Sequence, residues 1–187
     1  DPIYISTVNP ETRTKIASNL LRENGFFQGN VTVKVDTAKN PKKAKLRYTI
    51  YTGQRYKLDS ISYVGFSKKA DSLIQKTYDK RLLKKEEAFS VNTLNAERDR
   101  LVELFRNNGY YFYRSDFITF LADTLMHPGY VNLKVVQKQN IPEEGLRTYY
   151  IGKTRINLIG YNGEQPNDSL NFHNFTIGYA GNKPGIR

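Results

Sequence analysis

The side chains most often used for catalysis and metal binding are scarce in this sequence. It has no cysteine and only two histidines, His127 and His173. The lack of cysteine excludes disulfides, thiolate zinc sites and cysteine nucleophiles. No HExxH, GxSxG, GxGxxG or phosphate-loop motif occurs. We therefore predict that the chain is not an enzyme and carries neither a metal nor a cofactor.

Carboxylates are the next candidates for acid–base chemistry, but none is spaced to form a working pair with another. We interpret the most prominent ones as solvated surface charges. They are Asp71, Asp79, Glu97, Asp99, Glu103, Glu143 and Glu144.

The chain is strongly basic, with a formal net charge of +11. Such a charge is compatible with nucleic acid, an anionic membrane surface or solubility alone. The densest group is a possible membrane-facing patch of Lys80, Arg81, Lys84 and Lys85. A basic nucleic-acid-binding α/β module is kept as an alternative. It is disfavoured because an RRM does not have two consecutive helices, and because no GxxG loop of a KH domain lies between Ser67 and Gly109.

A repeated pattern organises the elements that position these side chains. LLRENGFF at residues 20–27 and LFRNNGYY at residues 104–111 share an arginine, a polar pair, a glycine and two aromatics. Each copy reads as the end of a helix, because glycine readily adopts the left-handed conformation that stops one. A repeat of this length indicates tandem small domains rather than a solenoid.

Alternating apolar residues predict the strands that follow each helix. Val31, Val33 and Val35 alternate with polar residues, and a second alternating run at 46–50 completes an antiparallel hairpin. The same criterion predicts a long strand at Tyr111–Leu121 and a closing strand around Leu133. Further strands are predicted at 56–65, at 149–160 and at Phe175–Tyr179.

Between the strands at 56–65 and 111–121 lie two amphipathic helical patterns, one of them capped by Ser67. The order strand–helix–helix–strand–strand predicts an α+β fold with two helices on one face of a three-stranded sheet. We predict the second half of such a module at 1–54, a complete module at 55–141, and the first part of another at 147–187. We expect the sequence to be an excised part of a longer protein.

This plan resembles the POTRA (polypeptide-transport-associated) domains of BamA-like outer-membrane assembly proteins. The resemblance rests on Tyr56 to Gly65, on Phe89-Ser90, on Leu101 to Tyr111, and on Tyr150 to Gly160. The sequence departs from the family pattern at Glu86-Glu87-Ala88, where a glycine is common. Phe175 to Arg187 looks like an insertion of Bacteroidetes-type relatives.

The resemblance implies tandem modules with mixed three-stranded sheets, in the periplasmic arm of an outer-membrane β-barrel assembly protein of a Gram-negative bacterium. The implied partners are unfolded outer-membrane proteins, accessory assembly lipoproteins and the protein's own C-terminal β-barrel, which this sequence does not contain, with no nucleic acid. The arm of a secretion transporter is the alternative within the same fold.

The implied docking mode is β-augmentation, in which an extended peptide pairs with an open strand edge. The second strand of each module is expected at that edge, here Val31–Asp36 and Tyr111–Thr119. We expect half of the aromatics, those on one alternate face, to fill the module's own core. The candidate edge residues are Val31, Val33, Val35, Tyr111, Tyr113, Ser115, Phe117 and Thr119.

Overall fold

The computed structural model describes residues 4–37 and 43–181. The chain forms two compact units, Asp1–Arg147 and Thr148–Arg187. The turn predicted at Asn40-Pro41 and the last six residues of the predicted insertion lie outside the described residues.

The first unit begins with a helix–hairpin segment. Its elements are α1 (Ile5–Val8), α2 (Pro10–Glu23), β1 (Asn30–Thr37) and β2 (Ala44–Tyr51). β1 and β2 pair antiparallel, with Val31 opposite Ile50 and Val33 opposite Tyr48. The alternating apolar residues of both strands therefore share one face, and the predicted hairpin is confirmed.

A five-element module follows in the same unit. Its elements are β3 (Lys57–Val64), α3 (Lys68–Lys76), α4 (Val91–Asn107), β4 (Ile118–Asp123) and β5 (Tyr130–Gln137), and a short helix α5 (Glu143–Leu146) comes after it. The sheet order is β3-β5-β4. β5 pairs parallel with β3 and antiparallel with β4. The predicted α+β fold, its β-α-α-β-β order and its mixed three-stranded sheet are confirmed.

The module's core lies between its two helices and one face of the sheet. Leu101 and Phe105 of α4 and Val131 and Val135 of β5 are all fully buried. Replacing a buried aromatic such as Phe105 with alanine typically costs about 3–5 kcal/mol. The opposite sheet face is wet, where Ser60 Oγ donates to an asparagine side chain across the sheet at 2.6 Å. One covered and one wetter face is the arrangement that the alternating sequence predicts.

Both glycine-terminated helices end in the same backbone motif. Gly25 has φ +88° and Gly109 has φ +92°. In the first copy, Gly25 N–H donates to Arg22 C=O and the next N–H reaches Leu21 C=O. The second copy repeats these bonds from Gly109 to Arg106 and from the next N–H to Phe105. These are Schellman caps, so the repeat seen in the sequence is also a structural repeat.

Gly25 also joins the helix–hairpin segment to the five-element module. Its C=O accepts from Tyr56 N–H at 2.9 Å. Next to it, the Phe27 ring packs against Tyr56 and Phe89, with centroid distances of 5.1 and 5.0 Å. A Cβ at Gly25 would lie 2.9 Å from Phe89 C=O. The glycine therefore serves both the helix cap and a close backbone approach.

The second unit contains a smaller sheet of the same order. β6 (Thr154–Asn157), β7 (Asp168–Asn171) and β8 (Phe175–Tyr179) are arranged β6-β8-β7. β8 pairs parallel with β6 and antiparallel with β7. Residues 158–167, between the first two strands, contain no helix. The strand predicted at Phe175–Tyr179 is confirmed, whereas the strand predicted at 149–160 is only four residues long.

We expect Gly25→Ala to destabilise the first unit more than Gly53→Ala. Gly53 also has positive φ, at +65°, but a Cβ there would meet Gln28 at an ordinary 3.5 Å. Gly53→Ala should cost about 1 kcal/mol for its left-handed backbone. Gly25→Ala should cost about 1–3 kcal/mol more, because the Phe89 backbone must move. Urea unfolding measures both, and equal losses would contradict a close approach at Gly25.

Candidate docking edges

The outer edge of β3 is partly closed by the segment before α4. Leu58 N–H donates to Glu87 C=O, and Glu86 N–H donates back to Leu58 C=O, each at 2.8 Å. A β-bridge also joins Lys57 and Ala88. Glu86 has φ +67°, a conformation that glycine adopts more readily. The segment that departs from the family pattern thus keeps a glycine-like backbone and closes this edge at the start of β3.

The outer edge of β4 is open. Among residues 4–37 and 43–181, the only strand paired with β4 is β5. Lys138 N–H donates to Phe117 C=O at 2.9 Å, so residue 117 faces β5 and every second residue after it does the same. Backbone groups of residues 119, 121 and 123 therefore point toward β5. Those of Ile118, Phe120 and Ala122 point outward, where another strand can pair with them.

The edge of β1 has the same arrangement. Among the described residues, β1 pairs only with β2. Val31 N–H donates to Ser18 Oγ of α2 at 3.3 Å, so it points away from β2. By alternation, the backbone groups of Val33 and Val35 point the same way. The structure therefore places the three predicted valines on a strand whose outer edge is unpaired beyond Ser18.

The predicted edge strand Tyr111–Thr119 is wrong in its position. Strand β4 begins only at Ile118, after a 3₁₀ helix at Ser115–Phe117. Tyr110, Tyr113 and Phe117 are all buried, at spacings of three and four residues. This spacing does not fit a strand, in which every second side chain shares a face. The chain instead turns these aromatics into the core before the strand begins.

The predicted edge residues consequently have different environments. Tyr113 packs against Phe105 at 4.7 Å between centroids, and its hydroxyl donates to Gln137 Oε1 at 3.2 Å. Tyr111 is 68% exposed and lies against the Phe112 ring. Ser115 lies in the 3₁₀ helix, and only Thr119 belongs to β4. The sequence therefore predicted that the edge strand starts at Tyr111, whereas it starts at Ile118.

Glu97, interpreted from the sequence as a solvated charge, is fully buried. One carboxylate oxygen accepts from Tyr63 O–H at 2.8 Å, and the other from Leu82 N–H at 2.9 Å. Arg100 donates to both oxygens, at 2.6 and 2.9 Å. The carboxylate thus ties α4 to β3 and to the segment after α3, and its four donors compensate for its burial.

Burial and hydrogen bonding shift the pKa values of several ionisable groups in this module. Burial and the neighbouring Glu97 carboxylate raise the pKa of the Tyr63 phenol far above its usual value. Burial also raises the pKa of Tyr113. The hydrogen bond from Arg100 to Glu97 raises the pKa of the guanidinium. Both tyrosines therefore stay neutral hydrogen-bond donors under physiological conditions.

The predicted basic patch is partly engaged with its surroundings. Lys85 Nζ lies 3.0 Å from Asp59 Oδ1, and this hydrogen bond is the main reason why the pKa of Asp59 is lowered. The Arg81 guanidinium lies over the Tyr78 ring, 3.9 Å from its centroid. Lys80 and Lys84 are exposed. The four residues lie in one connecting segment, between α3 and α4.

The described part of the chain contains neither a cluster of metal-ligating side chains nor a helix suited to span a membrane. No group of three or more His, Cys, Asp or Glu side chains there is placed to hold a metal ion. Over the same residues, no helix combines the length and apolar character needed to cross a bilayer.

Comparison with known proteins gives structural similarities only. No family model matches the chain, and no curated protein matches it. BamA POTRA domains 3–5 of Haemophilus influenzae align over 87% of this chain and 60% of theirs, with 14% identity and a TM-score of 0.45. Haemophilus ducreyi BamA lacking POTRA domains 1–3 aligns over 71% of this chain and 23% of its own, with 13% identity and a TM-score of 0.46.

The N-terminal domain of Omp85 from Thermosynechococcus elongatus aligns over 86% of this chain and 58% of its own. Its identity is 16% and its TM-score is 0.33. The chain thus spans less than two thirds of each of these structures.

We expect Glu97→Gln to destabilise the first unit by about 3 kcal/mol. The substitution removes the charge opposite Arg100, whose side chain is only 17% exposed, and turns an acceptor oxygen into a donor. Glu143→Gln is the matched control, because the Glu143–Arg147 ion pair is exposed and should contribute less than about 1 kcal/mol. Chemical unfolding of both variants measures the difference, and similar losses would show that the buried network is dispensable.

Proposed function

We propose that this chain is a periplasmic docking arm of an outer-membrane β-barrel assembly protein. In this proposal, β1 and β4 pair transiently with extended segments of unfolded outer-membrane proteins. The observation that carries it is the open edge of β4, whose outward N–H and C=O groups at Ile118, Phe120 and Ala122 have no strand partner among the described residues. The sequence resemblance to POTRA domains supports the same function.

The chemistry of the edge suits clients of many sequences. Backbone pairing depends on the N–H and C=O groups of the added strand and not on its side chains, so affinity is gained with little sequence selection. Among the large apolar side chains of β4, only Leu121 is exposed, at 56%, whereas Ile118 is buried and Phe120 is partly buried. Such an edge favours weak, reversible association over tight binding.

The modular division at 1–54, 55–141 and 147–187 is part of this proposal. The internal support is the repeated Schellman cap and the repeated strand order of the two three-stranded sheets. Accessory lipoproteins and the protein's own β-barrel are proposed as further partners at the surfaces of these modules. The arm of a secretion transporter is the alternative, and a β-barrel assembly assay with the parent protein distinguishes the two.

We expect Ala122→Pro to weaken docking at β4 without unfolding the module. Proline removes the outward N–H of Ala122, whereas the β4–β5 ladder uses residues 119, 121 and 123. An extended peptide from an outer-membrane β-strand should shift the amide NMR signals of residues 118–123 in the unchanged protein. The Ala122→Pro protein should lose these shifts at peptide concentrations that give half-saturation.

Ala122→Val is the control for this experiment. Valine keeps the N–H and suits a strand, so the peptide-induced shifts should persist. Shifts in the proline variant equal to those of the unchanged protein would contradict docking at β4. Shifts confined to residues 30–37 would place docking at β1 alone.

The basic patch of Lys80, Arg81, Lys84 and Lys85 is proposed to orient the arm against anionic lipid head groups. We expect co-sedimentation with vesicles to rise with their anionic lipid content and to fall with salt. Replacing Lys80 and Lys84 with glutamine should weaken binding, by about 1 kcal/mol per lysine. Lys68 and Lys69 are also exposed, and replacing both of them with glutamine is the matched control. Binding that ignores lipid charge would overturn this part of the proposal.

A further inference from the structure

Arg98 lies beside the open edge of β4, on the side covered by the helices. Its guanidinium carbon is 4.9 Å from the centroid of the Phe120 ring. Arg98 Nη1 donates to Asn95 Oδ1 at 3.1 Å. Arg98 Nε is buried and finds no hydrogen-bond acceptor in the described part of the chain. The side chain is thus held over the edge strand with unused hydrogen-bonding capacity.

Among the described residues, some arginines of the same unit are paired with a carboxylate, whereas Arg98 is not. Arg100, Arg114 and Arg147 each form an ion pair with a carboxylate. No ion pair joins Arg98 to a carboxylate of residues 4–37 or 43–181. A half-buried guanidinium without a carboxylate partner favours an incoming carboxylate at its accessible nitrogens, because charged acceptors form the strongest hydrogen bonds to arginine.

The geometry of strand addition brings a client side chain to this position. An added strand lies about 4.8 Å from β4, and side chains directly opposite each other have Cβ atoms about 5 Å apart. The client residue opposite Phe120 therefore projects to the helix-covered side, next to the ring beneath Arg98. A glutamate or aspartate there can reach the guanidinium, whereas a residue one position away projects to the other face.

We propose that the β4 edge selects extended client segments that carry a side-chain carboxylate at the position facing Arg98. This inference rests on the proposed function and deepens it, because it names the class of client segment. The arginine acts as a specificity determinant, and the backbone of β4 supplies the sequence-independent part of the affinity.

Three short peptides of alternating valine and threonine, capped at both ends, test this selection. The first has a glutamate in the central valine position, which faces the helix-covered side when the valines pack there. The second exchanges this glutamate with the neighbouring threonine, so composition and net charge are unchanged. The third has glutamine in place of the glutamate. A fourth peptide, without glutamate and with a free C-terminus, tests whether a terminal carboxylate substitutes for a side chain.

We expect the first peptide to bind about five- to tenfold more tightly than the second and the third, as measured by amide shifts of residues 118–123. Arg98→Met should abolish this preference while retaining the weaker binding common to all peptides. Lys134→Met is the matched control. It removes one positive charge from β5 on the opposite, exposed sheet face, and it should leave the preference unchanged.

The outcomes separate this inference from the proposed function. Equal binding of the three peptides, or an undiminished preference in Arg98→Met, would overturn carboxylate selection and leave edge docking intact. Equal strengthening by a free C-terminus would assign the selectivity to chain ends rather than to side chains, and would also overturn it. No shift at β4 with any peptide would overturn both carboxylate selection and docking at the β4 edge.

Discussion

The conformation after each glycine-terminated helix is the constraint on which the first unit depends. A C-terminal glycine with φ near +90° satisfies two helix carbonyls and turns the chain back toward the helix. After α4, this turn carries Tyr110 and Tyr113 against Phe105. Only when these aromatics are buried can the backbone extend as β4. The position of the open edge is thus set by the cap at Gly109, nine residues before β4 begins at Ile118.

The same motif has a different environment in its first copy. Leu21 of α2 is only partly buried and Ile50 of the closing strand β2 is 58% exposed, whereas Phe105, which matches Leu21 in the repeat, and Val135 of the closing strand β5 are fully buried. The difference arises because β3 and α3 cover the second copy. Burial of a large apolar side chain stabilises a fold by roughly 1.5–3 kcal/mol, so most of the stability of the first unit resides in the five-element module.

An open strand edge is both useful and hazardous, since unpaired backbone groups also template aggregation. The molecule closes one edge locally, where Glu86 and Glu87 pair with the start of β3. It keeps the other edge short, at six residues of β4. Arg98 adds a half-buried charge beside that edge, which discourages pairing with purely apolar strands. These features fit an edge that exchanges partners rather than one that holds them.

The sequence by itself determined the elements whose signals are local. The glycines that end α2 and α4, the hairpin of alternating valines, the Ser67 cap and the strand at Phe175–Tyr179 are all visible as short-range patterns. The order of these elements also determined the α+β class, because a fixed order of helices and strands permits few layered arrangements. None of these features needs knowledge of distant contacts.

Tertiary structure alone decided where β4 begins, why Glu97 is buried and which edges stay open. Tyr111 and Tyr113 look alike in the sequence, but one is exposed and the other is buried, because only Tyr113 reaches Phe105 and Gln137. Glu97 resembles a surface charge in the sequence, but packing brings the Tyr63 hydroxyl and the Leu82 N–H to its carboxylate, and together with Arg100 of the same helix they compensate for its burial. Such outcomes depend on partners far apart in the chain or on competition for one core, which periodicity does not encode.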